Sequence, residues 1–237
     1  MKNYFYLFSS YFIGAGSMLL FAAFIFLGPF LSISFGFSTT QALIFDAALS
    51  MIFFLQHSII IRKDVRRKIE EYISPDYFNA FYSITSGIVL ILMITMWQET
   101  YTVASATGAA YWLIRLLYII SIAGFYWGVK SLGLFDPFGT IKIKRLIKNK
   151  DPKELPLKVQ GPYKWVRHPL YFFMLLMIWS MPNLTADRLL FNILWSTWII
   201  FATMLEERDL VNEFGESYRS YQKETPMLFP WRIPIRS

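Results

Sequence analysis

Residues 169–205, PLYFFMLLMIWSMPNLTADRLLFNILWSTWIIFATML, decide the fold of this chain. The run is too long for one membrane crossing, which needs roughly 20 mostly apolar residues. It is interrupted twice, by Met181-Pro182-Asn183 and by Asp187-Arg188. It therefore reads as a helical hairpin with a short first arm, 169–181. Strands are excluded, because the apolar runs far exceed strand length and show no alternation. Working outward, the same length rule finds apolar stretches at about 5–33, 41–61, 77–98 and 110–132. The fold class expected is an all-α integral membrane protein. It has about five to six transmembrane helices, including the C-terminal hairpin, followed by a helical tail on the cytoplasmic side.

Composition supports this reading. Of the 237 residues, 55% are apolar, 19% aromatic and only 16% charged, against about 25% charged in soluble domains. Mean hydropathy is +0.41. There is no cysteine, so thiolate nucleophiles, disulfides and zinc–thiolate sites are excluded, and His57 and His168 are too few for a histidine-rich metal centre. No metal site is expected. The first apolar run is too long for a signal peptide and lacks a small-x-small cleavage site. There is no internal repeat. A single domain, 1–237, is expected, with N-terminal membrane helices at 1–132 and a functional region at 133–237.

The net charge of +7 is concentrated in one place. Residues 139–169 carry nine lysines and arginines against Asp151 and Glu154, and RKDVRRK at 62–68 forms a second basic cluster. By contrast, 34–40 and 99–109 hold no lysine or arginine. The positive-inside rule puts 62–76, 133–168 and the tail after 205 in the cytoplasm, with both termini. Arg115 and Arg188 alone fall on the other side. The basic loops read as topology signals and contacts to anionic lipid, and nucleic acid is not an expected partner.

Polar residues are costly at membrane depth, so those at its edge are candidates for chemistry. Three groups lie on one side. They are Gln56-His57-Ser58 with Arg62, GPYKWVRHPLY at 161–171, and LEERDLVNEFGESYRSYQKETPMLFP at 205–230. The hairpin returns the chain to the surface it left, so His168 and Tyr171 should lie near Glu206 and Glu207. Each group also has a plainer reading. His168-Pro169 is a natural helix start, Glu206-Glu207-Arg208-Asp209 a solvated helix end, and His57 an interfacial histidine. Gly14-Ala15-Gly16 lies inside a membrane span with no strand before it, so it is not a dinucleotide fingerprint. No P-loop or G-x-S-x-G elbow is present. A transporter would be expected to show two repeated halves with paired broken helices, and only one break is visible.

The second and third groups resemble the isoprenylcysteine carboxyl methyltransferase superfamily. Its pattern is met by Gly161, Tyr163, Arg167, His168, Pro169 and Tyr171, then by Glu206, Glu207, Leu210, Phe214, Gly215, Tyr218 and Tyr221. QHSIIIRKDVRRKI at 56–69 and the ending at 205–230 look most like the bacterial methanethiol S-methyltransferase branch. The resemblance implies S-adenosylmethionine as cofactor, held without a Rossmann domain by His168, Tyr171, Glu206 and Glu207. Arg167, Tyr218 and Tyr221 would complete or support the wall. Carboxylates suit the cofactor's ammonium and ribose hydroxyls, and the faces of Tyr163 and Trp165 suit adenine or a sulfonium. The implied reaction is methylation of a small thiol, methanethiol giving dimethyl sulfide, at the cytoplasmic face of a bacterial membrane. The catalytic candidates are His57, as the base that helps ionise the thiol, and Arg62 beside it. Carboxyl methylation of an isoprenylcysteine, phospholipid N-methylation and a non-catalytic transporter or sensor are the alternatives. Two positions depart from the pattern. Phe173 stands where many relatives have a small residue. Met227 stands where methylators of lipid-modified proteins often have arginine.

Overall fold

A computed structural model describes residues 1–133, 136–148 and 159–232. Lys150, Asp151, Lys153, Glu154 and Lys158 of the basic loop lie outside the described residues. Among the described residues five helical stretches are long and apolar enough to cross a membrane: Lys2–Leu27, Thr39–Ile60, Pro75–Met96, Gly108–Leu132 and Ala186–Phe214. The first comprises α1 (Lys2–Ser9) and α2 (Gly16–Leu27), joined by a π-helical segment at Ser10–Ala15 that buries Ser10 and Gly14. The others are α3 (Thr39–Ile60), α5 (Pro75–Met96), α6 (Gly108–Leu132) and α9 (Ala186–Phe214). Between and after them lie the short helices α4 (Lys63–Glu70), α7 (Thr140–Ile147), α8 (Pro169–Trp179) and α10 (Glu216–Glu224). Among the described residues the chain is an all-α membrane protein apart from a ribbon in which β1 (Thr102–Ser105) pairs with β2 (Asn183–Thr185). Strands this short fall below the length at which alternation is readable, and their pairing is non-local.

The first span ends at Leu27 rather than 33 because Gly28 takes φ 89°, outside helical space, and Pro29 follows. Ser38 caps α3 through a reciprocal capping box with Gln41. Helix α8 has 11 residues. At 1.5 Å per residue it reaches about 16 Å, roughly half the hydrocarbon thickness.

The chain divides into two units. The first is Met1–Thr102 with Asp136–Glu154 and Thr185–Phe191. Here the first span and α5 meet through small residues. A Cβ on Gly87 would lie 2.9 Å from the Ile13 carbonyl oxygen and 3.0 Å from Ser17 Oγ. In lipid, helix association rests on such close backbone approach rather than on apolar burial. Further along, Phe24, Trp97 and Phe191 pack edge to face, with ring centroids 5.5–5.7 Å apart. Arg188 lies 4.7 Å from the Phe24 ring centre and donates to the Phe24 and Ile25 carbonyls at 2.7 and 3.2 Å, near the end of α2. Asp187 accepts from Trp97 Nε1 at 2.9 Å, Thr100 N at 2.9 Å and Thr100 Oγ1 at 2.7 Å. This buried pair thus ties the start of α9 to α2 and to the end of α5.

The second unit is Val103–Phe135 with Leu155–Leu184 and Asn192–Ser237. Its centre is the packing of α8 on α6. Gly124 of α6 leaves space that the Phe173 ring fills, and Gly128 faces Leu170 in the same way. The bulk at 173 that departs from the sequence pattern is accommodated by a glycine on the facing helix.

Candidate functional site

The second unit gathers the two sequence motifs. Gly161 has φ +56°, and a Cβ there would lie 2.9 Å from Trp127 Nε1, so the 3₁₀ turn Gly161–Lys164 can sit directly on α6. After it the chain enters α8 with Pro169 at the first helical position, where a missing N–H costs nothing. On the other side, α9 continues through Glu206 and Glu207. Gly215, at φ +58°, then breaks the helix with a left-handed residue and lets α10 begin. The tail beyond α10 runs beside the first motif. Arg167 N donates to the Pro226 carbonyl at 2.9 Å and His168 N to the Met227 carbonyl at 3.1 Å.

Glu207 is the hub. Its Oε1 accepts from Arg167 Nε at 2.9 Å, His168 Nε2 at 2.6 Å and Tyr218 OH at 2.6 Å. Its Oε2 accepts from Arg167 Nη2 at 2.6 Å and Gln222 Nε2 at 2.7 Å. Arg167 also donates through Nη1 to the carbonyls of Gln222, at 3.2 Å, and of Thr225. Burial opposes the Arg167 charge, but the bonds and charge of Glu207 outweigh it and hold the guanidinium above its ordinary pKa. The Tyr218 hydroxyl is pushed up, first by burial and then by its bond to Glu207, so it stays a donor.

Glu206 sits one residue earlier and is half-buried. Among the described residues its one hydrogen-bond partner is Tyr171, whose hydroxyl donates to Oε2 at 2.6 Å. The Tyr171 ring stacks on His168 at 5.7 Å between centroids. Tyr163 is half-buried, and its hydroxyl pKa is raised by burial and by the Glu206 charge. Its carbonyl accepts from Tyr221 OH. Trp165 is exposed and meets Trp127 edge to face at 5.1 Å. The cluster thus offers a carboxylate with an oxygen to spare, a histidine and several aromatic faces. That donor set fits a ligand carrying an ammonium or hydroxyl groups beside an aromatic ring.

The eight cofactor candidates from the sequence, Tyr163, Arg167, His168, Tyr171, Glu206, Glu207, Tyr218 and Tyr221, all lie in this unit. His57 and Arg62 lie in the first unit. His57 stands in the last turn of α3, with Phe53 and Tyr82 rings 5.2 and 5.0 Å from its own, and Tyr82 OH donates to its carbonyl at 3.1 Å. The neighbouring Gln56 donates to Thr85 and Ser86 of α5. Arg62 stands at the N-cap position of α4, with no side-chain capping bond, and is exposed. Gln222 and the carbonyls of Thr225, Pro226 and Met227 were not among the sequence candidates. The spacing of Tyr218, Tyr221 and Gln222 at i, i+3 and i+4 puts them on one face of α10, which is the signal that points to Gln222. Among the described residues no group of three or more His, Cys, Asp or Glu is placed to hold a metal ion.

Comparison with known proteins agrees with the motifs. The chain is 35% identical over 202 residues to a methanethiol S-methyltransferase of Pseudomonas sp. (strain GM41(2012)), covering 83% of this chain and 76% of that protein. It is 28% identical over 196 residues to the methanethiol S-methyltransferase of Mycobacterium tuberculosis, covering 81% and 79%. Nurim of Rattus norvegicus is 24% identical over 183 residues, covering 73% and 70%. No solved structure matches the chain at a significant level. The family model described as NnrU protein matches residues 46–227, from α3 to the tail residue Met227 beside His168, and the chain belongs to that family.

Proposed function

We propose that this chain transfers a methyl group from S-adenosylmethionine to a small thiol, methanethiol giving dimethyl sulfide, at the cytoplasmic face of a bacterial membrane. That it is a methyltransferase rests on its relatives, several of which carry that name at 28–35% identity over most of the chain. The observation that carries the reading is the meeting of two hydrogen-bonded groups, Arg167 and His168 with Glu207 and Tyr171 with Glu206, joined by the stacking of Tyr171 on His168. When bound, S-adenosylmethionine supplies a methyl group on a positively charged sulfur. A carboxylate of the cluster would take the cofactor's ammonium or ribose hydroxyls. Tyr163 and Trp165 would offer ring faces to its adenine or its cation.

A thiol must lose its proton to become a good nucleophile, and small alkanethiols ionise above the roughly 8.5 of a free cysteine. His57 would take that proton, and Arg62 would bias the basic edge toward thiolate. A carboxylate acceptor would need no such base, so a histidine in the last turn of α3 favours the thiol over an isoprenylcysteine. The basic clusters at 62–68 and 139–148 favour a cytoplasmic site, where a water-soluble cofactor is available. The test uses full-length protein in detergent with methyl-labelled S-adenosylmethionine, offered methanethiol, longer thiols and a farnesylcysteine analogue. Labelled dimethyl sulfide is the expected product. Label on the farnesylcysteine carboxylate would overturn the thiol reading.

A further inference from the structure

We propose that the two adjacent carboxylates divide their labour. Glu207 is a positioning residue that latches the tail and sets the His168 proton, and Glu206 is the carboxylate left to the cofactor. This rests on the reading of the cluster as a cofactor site, and it departs from what the motif alone implies, namely that both glutamates are ligands.

The argument is one of capacity. A carboxylate offers about four lone-pair positions. Glu207 already accepts from five donors on four residues, Arg167, His168, Tyr218 and Gln222, and is 8% exposed. A ligand ammonium or hydroxyl would have to displace one of them. Arg167 is committed to the same degree, with Nε and Nη2 on Glu207 and Nη1 on two tail carbonyls. It is therefore a clamp on the tail rather than a free cation for a ligand's carboxylate. Residues 218–227 are fastened by Tyr218, Gln222, the Arg167 contacts and the two backbone bonds to Pro226 and Met227.

Adjacent positions on a helix point about 100° apart, so Glu206 faces elsewhere. It keeps an oxygen that Tyr171 does not occupy. Glu207 also settles the histidine. An acceptor-only carboxylate at 2.6 Å from Nε2 requires the proton on Nε2, which leaves Nδ1 of neutral His168 as the acceptor.

Three readouts on full-length protein in detergent separate the roles. The first is the rate of trypsin cleavage at the exposed Arg219 and Lys223 with no cofactor present. The second is the dissociation constant for S-adenosylhomocysteine by calorimetry. The third is the nitrogen NMR signature of His168, tractable in a chain with two histidines. Glu207→Gln is expected to speed tail cleavage at least tenfold and to mix the His168 tautomers, and saturating S-adenosylhomocysteine should restore protection. Glu206→Gln should leave cleavage and tautomer at wild-type values and weaken S-adenosylhomocysteine at least tenfold. Tyr218→Phe and Gln222→Ala each remove one donor, and they should give intermediate cleavage rates where Glu207→Gln fails to fold. A Glu207→Gln protein with a protected tail and lost S-adenosylhomocysteine binding would overturn the proposal, as would unchanged cleavage in both milder variants. If wild-type protein binds no S-adenosylhomocysteine, the cofactor reading fails, and the cleavage and tautomer results still judge the latch.

Discussion

Arg167 grips Glu207 with two parallel hydrogen bonds, Nε to Oε1 at 2.9 Å and Nη2 to Oε2 at 2.6 Å, with both side chains about nine-tenths buried. A buried pair of this kind is weak evidence of net stability, because desolvation offsets much of the attraction. Removing one partner is a different matter, since the other charge is left buried and alone.

Glu207→Ala is therefore expected to destabilise the protein by about 3–5 kcal/mol. Arg167→Lys keeps the charge but loses the planar fork and the reach to two tail carbonyls, for roughly 1.5–3 kcal/mol. Thermal unfolding in detergent checks both. A midpoint shift for Arg167→Lys no larger than that of the surface change Lys142→Ala would contradict the clamp.

The contact between Gly124 and Phe173 predicts a coupled pair. Gly124→Ala alone drives a methyl into the Phe173 ring, with an overpacking cost of about 1–3 kcal/mol. Phe173→Ala alone opens a cavity at roughly 3–5 kcal/mol. In the double variant the new methyl enters space the ring has left. The summed single effects should then exceed the double by about 0.5–3 kcal/mol. Strict additivity would mean the two helices do not meet there.

What the sequence conveys and what it hides divide along physical lines. The spans are legible because each apolar run reaches bilayer length, and only the first misjudges its end, where Gly28 turns to φ 89° ahead of Pro29. The nearness of His168 and Tyr171 to Glu207 and Glu206 is legible from connectivity, because a chain that turns back must return to the edge it left. Which glutamate points inward is not legible, since it depends on the rotation of α9 against its neighbours. Gln222 is hidden for a related reason. In SYRSYQKE it looks like one more residue on a solvated face until Gly215 folds α10 back toward Glu207. Asp187 and Arg188 read as an interruption of an apolar run, and their bonds to Thr100, Trp97 and the end of α2 depend on pairings far apart in the chain.

Those bonds make Asp187 a stability residue of the first unit. Asp187→Ala removes the acceptor of Trp97 Nε1 and of two Thr100 donors, all at 2.7–2.9 Å. A loss of about 2–4 kcal/mol is expected, because buried donors are left unsatisfied. Asp187→Asn keeps one acceptor oxygen and should lose about half as much. Calorimetric unfolding measures the loss. S-adenosylhomocysteine affinity of the folded fraction should be unchanged, and a changed affinity would tie this end of the molecule to the ligand.

The proposed role of His57 makes the last prediction, and it turns on pH. If His57 removes the thiol proton, His57→Ala should lower turnover at neutral pH by about 10²–10⁴-fold, the usual contribution of a general base. S-adenosylhomocysteine affinity should not change. Raising the pH toward the thiol's own ionisation supplies thiolate without a base, so the deficit should shrink as the pH climbs past about 8.5. A merely structural histidine would leave a deficit that does not depend on pH. Arg62→Gln should lower turnover less, because an exposed charge acts through solvent. The experiment is a pH–rate series for wild type and both variants with saturating methanethiol. A constant gap across the series, or loss of S-adenosylhomocysteine binding in His57→Ala, would remove His57 from the chemistry.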